Sequence, residues 1–240
     1  MEKGVLSASR LINWKINSGV LKYPIPPKKI ILSAQHIHIQ SKLFSKRRRI
    51  RGLIGKHLCI NESTGTYLGT GWGIGSPAMI ALCEEYYALG VRFFCIVGMV
   101  GRISGQHQEG EIIYAKSAIS EEGTSRHYGH WGTNELETSL PSRMITQLDQ
   151  NGIKPAKFVS TDAPFRETIS KLSNWRTMGA SIVDMETSAL YAFARHYNVP
   201  AISIGIAADS LASNEWNQPK NFTEITKNLA KAANWLSYII

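Results

Sequence analysis

Short apolar runs that end in a glycine or a polar residue, most of them followed by a stretch of helical composition, recur along this chain and restrict what it can fold into. Lys29-Ile-Ile-Leu-Ser-Ala34, Phe93-Phe-Cys-Ile-Val97, and residues 111–118, 157–161, 179–184 and 201–206 have the length and the β-branched or aromatic content of buried strands. Ser76-Pro77 supplies an N-cap and a first-turn proline for a helix through Leu89, closed by Gly90. Residues 187–196 carry Leu190, Phe193 and Ala194 on one recurring face. Residues 223–240 gather Ile225, Leu229, Ala232, Trp235 and Leu236 on an apolar side. Strands alternating with helices predict an α/β fold of three layers, αβα, with helices on both faces of a central sheet. The first 27 residues read as an N-terminal extension ending in Pro24-Ile-Pro-Pro27, which suits neither helix nor central strand. Residues 28–240 are then expected to form one domain.

Composition narrows the function classes. Apolar content of 43% and charged content of 19% are those of a globular chain. No apolar run approaches the ~20 residues that span a bilayer. The N-terminus lacks the apolar core of a secretory signal, so no membrane partner and a cytoplasmic location are expected. Cys59, Cys83 and Cys95 sit in apolar contexts without CxxC spacing and read as buried free thiols. His36 and His38 share one face of an extended segment, too few ligands for a metal site. The net charge of +9 is concentrated in Lys46-Arg-Arg-Arg49 and Arg51. Such a run attracts anions, but no aromatics interleave with it, so nucleic acid is not the expected partner.

The segment Val183-Asp-Met-Glu-Thr-Ser-Ala-Leu190 places an acid, Glu186, where a strand gives way to a helix. Burying a carboxylate costs several kcal/mol unless a partner is present. A diol is such a partner, because two vicinal hydroxyls can donate to the two oxygens of one carboxylate. A sugar-binding glutamate is one reading; a helix-start acid favoured by the macrodipole is the other. In layered α/β folds ligands sit beyond the carboxyl ends of the strands. Gly98, Thr161, Glu186 and Asp209 all follow strand-like segments.

Further segments occur in a set order with Glu186: Glu121-Glu-Gly-Thr-Ser125, Ser160-Thr-Asp-Ala-Pro-Phe-Arg-Glu-Thr168 and Ile206-Ala-Ala-Asp-Ser210. With the glycine turns Gly71-Trp-Gly-Ile-Gly75 and Val97-Gly-Met-Val-Gly101, they resemble the nucleoside phosphorylase family, which includes purine nucleoside and uridine phosphorylases and related nucleosidases. The resemblance runs from about Gly71 to the C-terminus, with a weaker trace from Lys28 to Gly55. It implies a mixed central sheet of the phosphorylase/hydrolase type and cleavage of an N-glycosidic bond. By motif, Glu186 would bind the ribose hydroxyls, Met185 would pack on the sugar, and Asp209 would serve a purine-type base. Phe165 falls where the family stacks an aromatic on the base, with ordinary core packing as the equal alternative. Arg166 lies beside it; Thr124, Ser125 and Gly98 would line the pocket, although a turn explains Thr124 and Ser125 nearly as well. Relatives assemble as dimers or hexamers, so a homo-oligomer is implied.

The departures bear on the nucleophile. Where family phosphorylases hold phosphate through a glycine and an arginine, Ser33-Ala-Gln-His-Ile-His38 offers Ala34 and His38, and further phosphate positions hold Ile96 and Met99. Arg51 aligns with another phosphate arginine, and Arg102 or His38 could compensate. Three readings follow: a nucleoside phosphorylase taking phosphate as co-substrate and no other cofactor; a nucleosidase using water; and a nucleoside-binding module. The first is the leading expectation.

Overall fold

The computed structural model describes residues 4–22, 28–35, 37, 46–48, 57–61, 63–130 and 135–238, with the backbone alone described for 46–48 and 57–59. The elements run α1 (Ala8–Asn17), β1 (Lys29–Ser33), β2 (Lys46–Arg48), β3 (His57–Asn61), β4 (Thr66–Thr70), α2 (Ser76–Ala88), β5 (Phe94–Arg102) and β6 (Ile112–Glu121). They continue through β7 (Glu135–Glu137), α3 (Ser142–Gln150), β8 (Lys154–Thr161), α4 (Ile169–Thr177), β9 (Ile182–Asp184), α5 (Thr187–Tyr197), β10 (Ala201–Ser210) and α6 (Phe222–Tyr238). Pro24 to Pro27, His36, His38, Arg49 and Arg51, which the sequence singles out, lie outside the described residues.

All strands join one mixed sheet. β1 runs parallel to β4 and β5, and β4 continues outward through antiparallel β3 and β2. β5 also pairs with β10 in parallel and with β9 in antiparallel sense. β9 pairs with β8, β8 with β6, and β6 with β10. The five strands β5, β10, β6, β8 and β9 therefore return on themselves as a barrel-like ring, with β1 to β4 fanning away from it.

Alternating side chains build a core on each face of this sheet. Ala201 and Ala207 of β10 face a cluster shared with α2 and α5, including Met79, Leu190 and Phe193. Ile202, Ile204 and Ile206 face the opposite way, onto Ile225, Leu229 and Leu236 of α6 and Met144 and Leu148 of α3. A third cluster seals one end of the ring, where Leu172 and Trp175 of α4 meet Ile119, Val159 and Val183. The layers are thus helix, sheet, helix, as the alternation of elements requires. Lys29, buried on β1, donates to the carbonyls of Leu236 and Ser237 at 3.0 Å and ties the end of α6 to the sheet.

Several details differ from the sequence expectation. The N-cap of α2 is Gly75, not Ser76; the Ser76 hydroxyl instead donates to the Met185 carbonyl at 2.7 Å. β5 does not stop at its glycines but runs through Gly98 and Gly101 to Arg102. Close packing explains glycine on these strands: a Cβ at Gly205 would lie 2.7 Å from a Val100 methyl and 3.1 Å from Phe158. The expected N-terminal extension contains a docked helix. Ser7 caps α1, Ile12 and Leu21 enter the same core cluster as α2, and Lys15 Nζ meets Glu85 Oε1 at 2.5 Å. Cys83 and Cys95 are buried free thiols, and burial pushes the Cys95 thiol up to about 12. Among the described residues no helix is long and apolar enough to cross a membrane.

Candidate active site

The C-terminal ends of β5, β9 and β10 converge on a cavity of about 630 Å³. Glu186, Met185, Asp209, Gly98 and Phe165, far apart in sequence, all line it. So do Gln35 after β1, Trp72 and Ile74 before α2, Glu167 before α4, and Leu211 and Trp216 after β10. A short strand followed directly by a helix puts Glu186 at the N-terminus of α5. Its side chain does not cap that helix: Oε1 accepts the backbone N–H of Gly75 at 2.6 Å. Burial, reinforced by the neighbouring charge of Asp184, raises the Glu186 carboxyl to about 7.

Asp184 lies behind Glu186. One of its oxygens accepts the Ser160 hydroxyl at 2.5 Å; the other accepts the Thr187 N–H at 2.9 Å and the Thr187 hydroxyl. Burial raises its carboxyl even so. The Ser160 hydroxyl also accepts the Ser188 N–H at 2.9 Å, and the Ser188 hydroxyl donates to Glu122 Oε1 at 2.9 Å. A buried polar chain thus connects three sequence motifs. Its members are satisfied, which is the condition for such a chain to rigidify its surroundings.

Also on the cavity lining, Asp209 accepts the indole N–H of Trp216 on Oδ2 at 2.8 Å. Glu167 faces the same region. Burial first, and the charge of Asp209 second, push its carboxyl up to about 7.

Other sequence candidates stand apart. Thr124 and Ser125 are not among the lining residues of the cavity; their backbone N–H groups and the Ser125 hydroxyl hold the Glu122 carboxylate, as a turn would. Burial pushes Glu122 upward, but bonds from Ser125, Thr124, Ser188 and Ser120 outweigh it and leave the carboxyl below its ordinary value. Phe165 is 99% exposed at the mouth, which removes the core reading. Arg166, beside it in a short 3-10 turn, is exposed and outside the lining. Arg102 is not among the lining residues; its guanidinium donates to the carbonyls of Asp209 and His107, each at 3.3 Å. Ala34, Ile96 and Met99 form an apolar wall, and the Met99 N–H donates to Gln35 Oε1 at 3.3 Å. His38 and Arg51 lie outside the described residues. Glu167, Trp72 and Gln35 fall inside segments that the sequence singles out, but the sequence assigns them no role there; Trp216 lies outside every such segment, in the loop after β10.

The profile of the phosphorylase superfamily matches residues 25–240. The chain belongs to this superfamily. Among its members, the chain is 27% identical over 138 residues to a guanosine phosphorylase of Halorubrum lacusprofundi, covering 55% of this chain and 56% of that protein. It therefore spans little more than half of that relative's length. To a purine nucleoside phosphorylase DeoD-type of a Thermoanaerobacter species it is 25% identical over 191 residues, covering 73% of this chain and 82% of the relative. The superfamily fold is seen in the 5'-methylthioadenosine/S-adenosyl homocysteine nucleosidase of Campylobacter jejuni, with a TM-score of 0.71 at 14% identity, covering 89% of this chain and 98% of that one.

Proposed function

We propose that this chain cleaves the N-glycosidic bond of a purine nucleoside. The observation that carries the reading is the convergence of Glu186 and Asp209 on the lining of one cavity of nucleoside size. Glu186 accepts the ribose hydroxyls, and Met185 lies against the sugar. Asp209 gives a proton to the departing base, a step typically worth about 10²–10⁴-fold. Phe165 and Trp216 supply aromatic surface for the base. Negative charge around the sugar favours the positive charge that develops on the ribosyl carbon.

Phosphate is the nucleophile of the first reading, yielding free base and ribose 1-phosphate; the sequence relatives named as phosphorylases support it, with Arg51 and His38 as ligands by resemblance. Water is the second reading. It rests on the cavity lining, which among the described residues holds Glu167, Asp184, Glu186 and Asp209 but no arginine, lysine or histidine. Charged donors contribute about 1.5–3 kcal/mol each to holding an anion, so a phosphate site here depends on residues beyond that lining. A homo-oligomer, dimer or hexamer, in the cytoplasm completes the proposal.

Turnover of a nucleoside panel with and without phosphate, resolving free base, ribose and ribose 1-phosphate, tests it. Phosphate-dependent ribose 1-phosphate supports phosphorolysis, and phosphate-independent ribose supports hydrolysis. No free base under either condition removes the catalytic reading.

A further inference from the structure

One Asp209 oxygen is engaged by the protein itself. Trp216 donates its indole N–H to Oδ2 at 2.8 Å, while Oδ1 faces the bare backbone of Gly101, where a Cβ would stand 3.4 Å away. Both side chains line the cavity. The segment that carries Trp216 is held as a closed loop. Ser210 and Asn217 exchange backbone hydrogen bonds of 2.9 and 2.8 Å across its base. Arg176 of α4 donates to the Leu211 carbonyl at 2.9 Å and to Asn214 Oδ1 at 2.8 Å, and is itself anchored on the Ile103 carbonyl at 2.6 Å. An indole that is 64% exposed, on a loop tied so firmly, has its position fixed by that loop rather than by burial in the core.

We propose that Trp216 is a positioning residue for Asp209: it leaves Oδ1 to meet the base and stabilises the carboxylate that remains once the proton has gone. The inference rests on the reading of Asp209 as the acid. In that step the proton on Oδ1 moves to a ring nitrogen of the base. The bond between the ribosyl carbon and the base breaks, and its electron pair stays with the base. The ribosyl carbon takes a pair from phosphate, or from water, which then gives its surplus proton to the solvent, and Asp209 ends as a carboxylate with the indole N–H on Oδ2. A hydrogen bond to a charged acceptor is about twice as strong as one to a neutral acceptor, so the indole's contribution grows as the proton leaves. Interactions that strengthen toward the transition state raise kcat, whereas those equal in the ground state do not.

Trp216→Phe keeps an aromatic ring and removes the donor; Trp216→Gln keeps a donor and removes the ring. Each is measured on a purine nucleoside and on 4-nitrophenyl riboside, whose leaving group needs no proton, with Asp209→Asn alongside. Trp216→Phe is expected to lower kcat on the purine nucleoside about 10- to 100-fold, with KM moved less than about threefold and a small loss on the activated riboside. Trp216→Gln is expected to recover part of kcat at the expense of KM. Equal losses of Trp216→Phe on both substrates, beside a selective Asp209→Asn, would overturn the positioning role and leave Asp209 as the acid. Equal losses of Asp209→Asn on both would remove the acid itself.

Discussion

Glu186 accepts the Gly75 amide N–H, and its carboxyl is raised to about 7 by burial and by Asp184. A diol donates best to the ionised form, so KM for a nucleoside should fall as pH rises through about 7; a flat KM between about pH 6 and 8 would sink the ribose role. Glu186→Gln should lower kcat/KM at least about 100-fold, measured by initial rates. Glu167 gives a second expectation. Its carboxyl is raised from 4.5 to about 7, so the folded chain holds that proton more tightly than the unfolded one. The stability it contributes is complete below pH 4.5 and is lost as pH rises through 7. The melting temperature should therefore decline over that window; the contribution of Glu186 declines with it, so Glu167→Gln should make the decline shallower without removing it. That Glu186 and Asp209 share one cavity was legible because each follows an apolar run and falls in the order of motifs that resembles the family; the residues alone read equally as helix-start or turn acids. Glu167 and Trp216 were not legible, because what they face depends on how the 3-10 turn and the loop after β10 fold back over the cavity.

The ring of β5, β10, β6, β8 and β9 is the element that brings the acids together. Its strands were largely visible as apolar runs, and so was the helix after Glu186. The closure was not, because the antiparallel pairing of β5 with β9 joins residues 101 and 183 and leaves no local trace. The short strands β4 and β7 and helices α3 and α4 carry patterns too brief or too polar for periodicity to report. Gly205 is the sensitive point of the ring. An added methyl would lie 2.7 and 2.8 Å from the two Val100 methyls, so Gly205→Ala should cost about 1–3 kcal/mol, read as a lower midpoint in urea. An unchanged midpoint would mean that β5 and β10 can separate at this crossing.

Across the whole molecule, residues 8–21, ahead of the central sheet, are part of the packed structure. Leu21 is 2% exposed and lies in the largest core cluster, so Leu21→Ala should destabilise by about 2–5 kcal/mol. Removing residues 1–22 should lower the melting temperature as well, and a truncated protein that melts like the full chain would show that α1 only rests on α2. The prolines before Lys28 suggested a boundary there, and nothing local indicates that the helix ahead of it turns back onto α2. Charge is distributed over the molecule in opposite senses. A chain of net charge +9 gathers four carboxyls around one cavity. The long-range field draws anions toward the surface, while the cavity favours a centre that is losing electrons. Attraction at a distance and recognition at contact thus select for opposite signs. An inhibitor built to carry a positive charge at its sugar would be opposed on approach and held on arrival, so added salt should speed its association.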